Sequence, residues 1–133
     1  MVGVGVLVAD SGHYLLIRRA AEPDKGLWTI PGGLVNVGEK VKEAAIREVK
    51  EETGLDAELD EVLALIDKIV RDESGRIRYH FVIVDFSAHV VGGRLEASSD
   101  ALDARWVKET EIMAYELTQS FRDLLQQLGI AQS

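Results

Sequence analysis

Five glutamates fall between Gly32 and Leu55, in the stretch GGLVNVGEKVKEAAIREVKEETGL: Glu39, Glu43, Glu48, Glu51 and Glu52. Carboxylates at this density either solvate a helix surface or converge on a cation. At ~100° per residue, Val41, Ala44, Ala45 and Val49 form a narrow apolar face. Glu48 and Glu52, an i, i+4 pair, fall within that face, and Glu51 lies on its edge. Crowding them there costs free energy, because like charges repel and partial burial disfavours ionisation. A divalent cation removes that cost, and Mg²⁺ is a hard ion that takes oxygen ligands. The preceding Pro31, Gly32 and Gly33 would let a backbone carbonyl approach the same ion, and Ala44 and Ala45 leave room beside it. On these residues alone a solvated face stays open, since glutamate is also a good helix former.

The elements that must position these groups are legible in outline. VGVGVLVAD and YLLIRR read as two strands joined by the turn DSGH, a hairpin. AAEPDKG is a polar loop, LWTI a short extended piece, and PGG a break. A helix follows from about Lys40 to Thr53, with Gly54 as its stop. DEVLALIDKIV and RIRYHFVIVDFSAHVV read as strands around the turn DESG. GGRLEASSDALDA reads as turn and loop, and RWV as a short strand. In the last segment Leu117, Phe121, Leu124, Leu125 and Leu128 share one helical face, which Gly129 ends. The order strands, helix, strands, helix favours a mixed sheet covered by helices.

Composition narrows the classes. The 133 residues suit one domain, 1–133, with a sizeable core. A hydrophobic fraction of 47% and a charged fraction of 29% fit a soluble globular protein. No apolar run spans a bilayer, and the opening MVGVGVLVAD lacks the basic start of a signal peptide, so a cytoplasmic location is expected. Without cysteine there is no disulfide, thiol catalysis or thiolate metal site. The net charge of -8 argues against stable nucleic-acid binding. A phosphate ligand would need a cation to bring it in.

The full pattern is more specific. Gly33, five residues, Glu39, seven residues and then REVKEETGL from Arg47 to Leu55 resembles the Nudix box without a gap, with nine fixed positions over 23 residues. GLWTIPGG before it and RWV after it also resemble Nudix domains of the MutT-like kind. The resemblance implies an α/β fold, a mixed β-sheet between helices in three layers (α/β/α), with the box as loop–helix–loop. It implies Mg²⁺- or Mn²⁺-dependent hydrolysis of a nucleoside diphosphate linked to another group. Carried over by position, Glu48, Glu51 and Glu52 would be metal ligands together with the carbonyl of Gly32. Glu51 and Glu52 would also serve catalysis, and Arg47 would orient the glutamates. Glu39 would brace the loop at the helix start, and Gly33 and Gly54 would be structural. Family members are often dimers.

Other residues carry weaker signals. Asp100 lies in a Ser-rich loop ahead of Trp106, where some relatives carry a carboxylate that binds metal or activates water; Asp103 is the neighbouring alternative. Arg18 and Arg19 end the second strand, where similar arginines in mutator-type relatives touch substrate, and alternation sends one of them outward. Trp28 could stack on a base or ribose, although a tryptophan in a short strand is more often core. His80 could line the pocket or be a packing residue. ADP-ribose or a related nucleotide sugar ranks first as substrate, ahead of nucleoside triphosphates of the mutator type. A proline and a tyrosine that mark particular substrate classes beyond the box are both absent, since the prolines are Pro23 and Pro31. A non-catalytic, nucleotide-sensing Nudix domain is the alternative of a different class.

Overall fold

The computed structural model of the chain describes residues 1–130, so the last three residues of the expected domain lie outside it. Seven strands and two α-helices follow in the order β1 (Val2–Asp10), β2 (His13–Arg19), β3 (Trp28–Thr29), β4 (Gly32–Leu34), α1 (Val41–Thr53), β5 (Leu55–Arg71), β6 (Ile77–Gly93), β7 (Ala101–Lys108) and α2 (Gln119–Gln127). A 3-10 turn at Glu109–Ala114, not foreseen from the sequence, leads from β7 towards α2. The strands form one mixed sheet of order β3-β2-β1-β6-β5, with β4 paired to β1 and β7 to β2.

β1 is the axis of the fold. It runs parallel to β6 from Val2↔Val82 to Val8↔Ala88 and antiparallel to β4 from Gly3↔Leu34 to Gly5↔Gly32. Its alternation splits the core into two layers. Val4, Val6 and Val8 join Phe86, Ala88 and the small face of α1, namely Ala44, Ala45 and Val49. Leu7 points the other way, into a layer with Leu16, Trp28, Ile30, Ala64 and the Phe121, Leu124 and Leu125 face of α2. This is the expected mixed sheet between helices.

Some boundaries differ from the sequence reading. β5 begins at Leu55, directly after the helix, because Gly54 takes a left-handed conformation (φ 77°) that turns the chain straight into the sheet. An added Cβ at Gly54 would lie 2.4 Å from the Arg94 carbonyl, and one at Gly93 (φ 84°) would lie 2.5 Å from the Gly54 carbonyl. The segment ALDA is strand rather than loop: β7 pairs with β2 from Arg19↔Ala101 to His13↔Lys108. The final helix starts at Gln119, where the Thr118 side chain accepts a hydrogen bond from the Phe121 N–H at 3.3 Å.

Candidate functional site

α1 places its carboxylates by helical geometry alone. Glu48 and Glu52 lie one turn apart on the side facing β4, and their carboxyl groups are within hydrogen-bonding reach of each other. The Gly32 N–H donates to Glu52 Oε1 at 3.3 Å. Glu52 Oε2 is buried and has no hydrogen-bond partner among the described residues. Burial first, and then the hydrogen bond and charge of Glu48, push the Glu52 carboxyl well above the ordinary carboxylate range. The Gly32 N–H and the charge of Arg19 pull the other way.

Gly33 makes the close approach possible. A Cβ there would sit 2.5 Å from Glu48 Oε1, so any other residue would push the Glu48 side chain off the loop. Arg47 organises the rest. Its guanidinium donates to Glu39 at 2.7 and 2.9 Å, to Glu48 Oε1 at 2.9 Å, to Glu51 Oε2 at 3.1 Å and to the Leu34 carbonyl at 3.0 Å. Glu39 also accepts from the Asn36 N–H at 3.1 Å. The Arg47 hydrogen bonds hold its carboxyl below the usual range. Arg47 thus ties the box loop to the helix. Glu43, equally spaced from Arg47 in sequence, makes no ion pair among the described residues.

The donor chemistry fits a hard divalent cation: two adjacent carboxylates, one with an orphaned buried oxygen, beside a glycine cradle. Among the described residues no three acidic or histidine side chains converge on one point. The reason is local, because Glu51 is turned to Arg47 and its side chain is 58% exposed. It would have to swing from the guanidinium to join Glu48 and Glu52.

The remaining candidates divide. Arg19 is the inner arginine, with its charge felt at Glu52 and its Nε anchored on the Pro23 carbonyl at 2.8 Å. Arg18 is exposed, and its Nε is held by the Gly26 carbonyl at 2.9 Å. Trp28, read from sequence as a possible substrate platform but more often core, lies in the core layer beneath α2. It is 8% exposed, meets Tyr115 edge-on at a centroid distance of 5.3 Å, and is covered by the Arg105 guanidinium at 4.8 Å. Asp103 is engaged by Arg105, which holds its carboxyl below the ordinary range. His80 lies on the exposed part of the β5–β6 hairpin, 2.8 Å from Asp67.

Asp100 is exposed in the turn before β7. The segment leading to it hangs from the end of α1: the Glu96 N–H donates to the Thr53 carbonyl at 2.8 Å and the Ser98 N–H to the Glu52 carbonyl at 3.3 Å. Sequence reasoning missed this anchoring, and it missed Asp85, a buried carboxyl in the middle of β6. The signal for Asp85 was an acid inside the apolar run FVIVDF.

Comparison with known proteins identifies the family. The NUDIX domain family model matches residues 1–128, and the chain belongs to that family. An ADP-ribose pyrophosphatase of Methanocaldococcus jannaschii is 38% identical over 105 residues, covering 79% of this chain and 60% of that protein. A human 8-oxo-dGDP phosphatase is 34% identical over 115 residues, covering 84% of this chain and 33% of that protein. The chain thus spans less than two thirds of the length of either relative. The crystal structure of a MutT NUDIX hydrolase from Burkholderia pseudomallei superposes with a TM-score of 0.81 at 29% identity, over 96% of both chains.

Proposed function

We propose that the domain is a divalent-cation-dependent pyrophosphohydrolase that cleaves within the diphosphate of a nucleoside diphosphate derivative, with ADP-ribose or a related nucleotide sugar favoured. The observation that carries this reading is the half-buried Glu48–Glu52 pair with its one buried, orphaned oxygen, set against Gly32 and Gly33. The M. jannaschii relative supports the substrate choice.

In this reading Glu48, Glu52 and, after leaving Arg47, Glu51 would hold Mg²⁺ or Mn²⁺ together with the Gly32 carbonyl. When bound, such an ion would supply positive charge for the phosphoryl oxygens and Lewis acidity towards the attacking water. Arg47 and Glu39 keep the loop and helix in register, so the ligands need little reorganisation. Arg19, whose charge is felt at Glu52, offers a positive charge to the diphosphate. Asp100 takes the proton of the attacking water from a loop suspended on the Glu52 carbonyl.

The test is a substrate panel with Mg²⁺, resolving the released products. ADP-ribose should give AMP and ribose 5-phosphate. Full turnover in excess chelator would overturn the metal assignment. A second reading, a (deoxy)nucleoside diphosphate or triphosphate as substrate, is favoured by the human relative that acts on 8-oxo-dGDP. The same panel separates the two.

A further inference from the structure

Asp85 has no task in the chemistry above, yet it is 6% exposed and makes no side-chain hydrogen bond among the described residues. Its oxygens are not sealed from solvent, so a donor from outside the chain can reach them. Its surroundings are apolar. Its register partners are Gly5 on β1 and Ala64 on β5, and Ile30 packs beside it.

The sheet is hollowed to receive it. A Cβ on Gly5 would lie 2.3 Å from Asp85 Oδ1 and 3.1 Å from Ile30 Cδ1, so the carboxylate occupies the space a side chain would take. Gly3, two residues earlier on the same face, is bare as well, with Ile83 and Leu34 at its sides. Ile66, Phe81 and Ile83 continue this face along β5 and β6 as half-buried apolar side chains, and Leu34 is 50% exposed. The result is an apolar strip over a glycine floor, with one acceptor at its inner end.

The strip also lies at the right place. Asp85, Gly5 and Gly32 are successive register partners across three strands. The Gly32 N–H in turn holds Glu52. Two strand spacings put Asp85 about 10 Å from Gly32, comparable with the reach of a nucleoside 5′-phosphate from phosphorus to the edge of its base.

We propose that Asp85 is a specificity-determining residue that accepts a hydrogen bond from the exocyclic amino group of the substrate's nucleobase, whose flat faces lie along the Gly3–Ile83–Phe81 strip. This rests on the proposed nucleotide substrate and adds which part of it the protein reads. A base edge without the amino donor leaves the carboxylate unpaired, which is the source of discrimination. Burial, which raises the Asp85 carboxyl to about 6, makes the missing donor costly.

The test is binding of nucleoside monophosphates by calorimetry with Mg²⁺ present, which requires no turnover. Two pairs differ by a single amino group: GMP against IMP, and AMP against purine riboside monophosphate. The wild-type protein should bind the amino-bearing member of at least one pair roughly tenfold or more tightly. Asp85→Ala should bring that ratio close to one without lowering Tm, since a residue kept only for packing would lose stability when truncated. Should Asp85→Ala not fold, Asp85→Asn, alike in shape but uncharged, should lower the ratio several-fold. Equal affinities in both wild-type pairs, no binding of any of the four nucleotides, or a preference that survives the substitution would overturn the assignment. Amino-selective binding without cleavage of any diphosphate would overturn the pyrophosphohydrolase reading and leave Asp85 standing.

Discussion

The Gly32 N–H donates to Glu52 Oε1 at 3.3 Å, which joins the last turn of α1 to the loop that precedes it by 20 residues. Helix and loop are thereby one unit, and Oε2 of the same carboxylate is buried without a hydrogen-bond partner among the described residues. Glu52→Gln keeps an oxygen for Gly32 and removes the charge. We expect kcat to fall by at least ~10²-fold, through loss of Lewis-acid stabilisation. Tm should hold or rise, because repulsion with Glu48 is relieved. Steady-state kinetics and thermal unfolding of the same preparation check both.

Arg47 is bonded to three glutamates and the Leu34 carbonyl. Arg47→Lys keeps the charge but cannot reproduce the fork of donors. Both Arg47→Lys and Arg47→Ala should lose about 10²-fold in kcat through misplacement of the ligands. The substituted proteins should need more Mg²⁺ for half-maximal rate. A lysine variant with wild-type metal dependence would show that charge alone suffices.

Asp100 and Asp103 form an internal comparison. Asp103 is already held by Arg105, whereas Asp100 is exposed at the end of the loop hung on Glu52. Asp100→Asn should cost ~10²–10⁴-fold in kcat, the usual worth of a positioned base, with Tm nearly unchanged. Asp103→Asn should cost little activity. Near wild-type rates in both, at saturating substrate and metal, would move the base to a box glutamate, Glu51 first.

Asp85 gives a pH dependence with a definite sign. Its folded-state value, about 6, is above the ordinary 3.8 because burial penalises the anion. The folded state therefore holds the proton more tightly, and stability from this group is fully present below pH 3.8 and lost as pH rises through 6. Asp85→Asn should accordingly stabilise the protein by roughly 1–3 kcal/mol at pH 7.5, and much less at pH 4. Urea unfolding at the two pH values decides it.

The box residues were readable because helical spacing fixes which carboxylates share a side, and that spacing survives in one dimension. Glu48 and Glu52 needed only the 3.6-residue period. Asp85 did not show itself, because its burial depends on Gly5 from a strand 80 residues earlier in the chain. The β7 boundary was hidden for a similar reason: ALDA has little strand character, and its pairing is imposed by β2. Alternation sent one of Arg18 and Arg19 outward but could not say which. The Trp28 ring was equally undecidable, since its cover comes from Arg105 and Tyr115, far along the chain.

Gly93 abuts the Gly54 carbonyl and Gly54 abuts the Arg94 carbonyl, each in a conformation that disfavours side chains and each with that carbonyl within 2.5 Å of where the missing Cβ would be. Neither position is a free variable. A side chain at Gly93 would drive into the turn that ends α1 and so reach the glutamates through Gly54, without touching them. In a combinatorial library that randomises both sites, functional clones should return the glycine pair, and single replacements should not be rescued by changing the second. The exit of the helix is thus inherited as a two-residue word, spelled nearly forty residues apart.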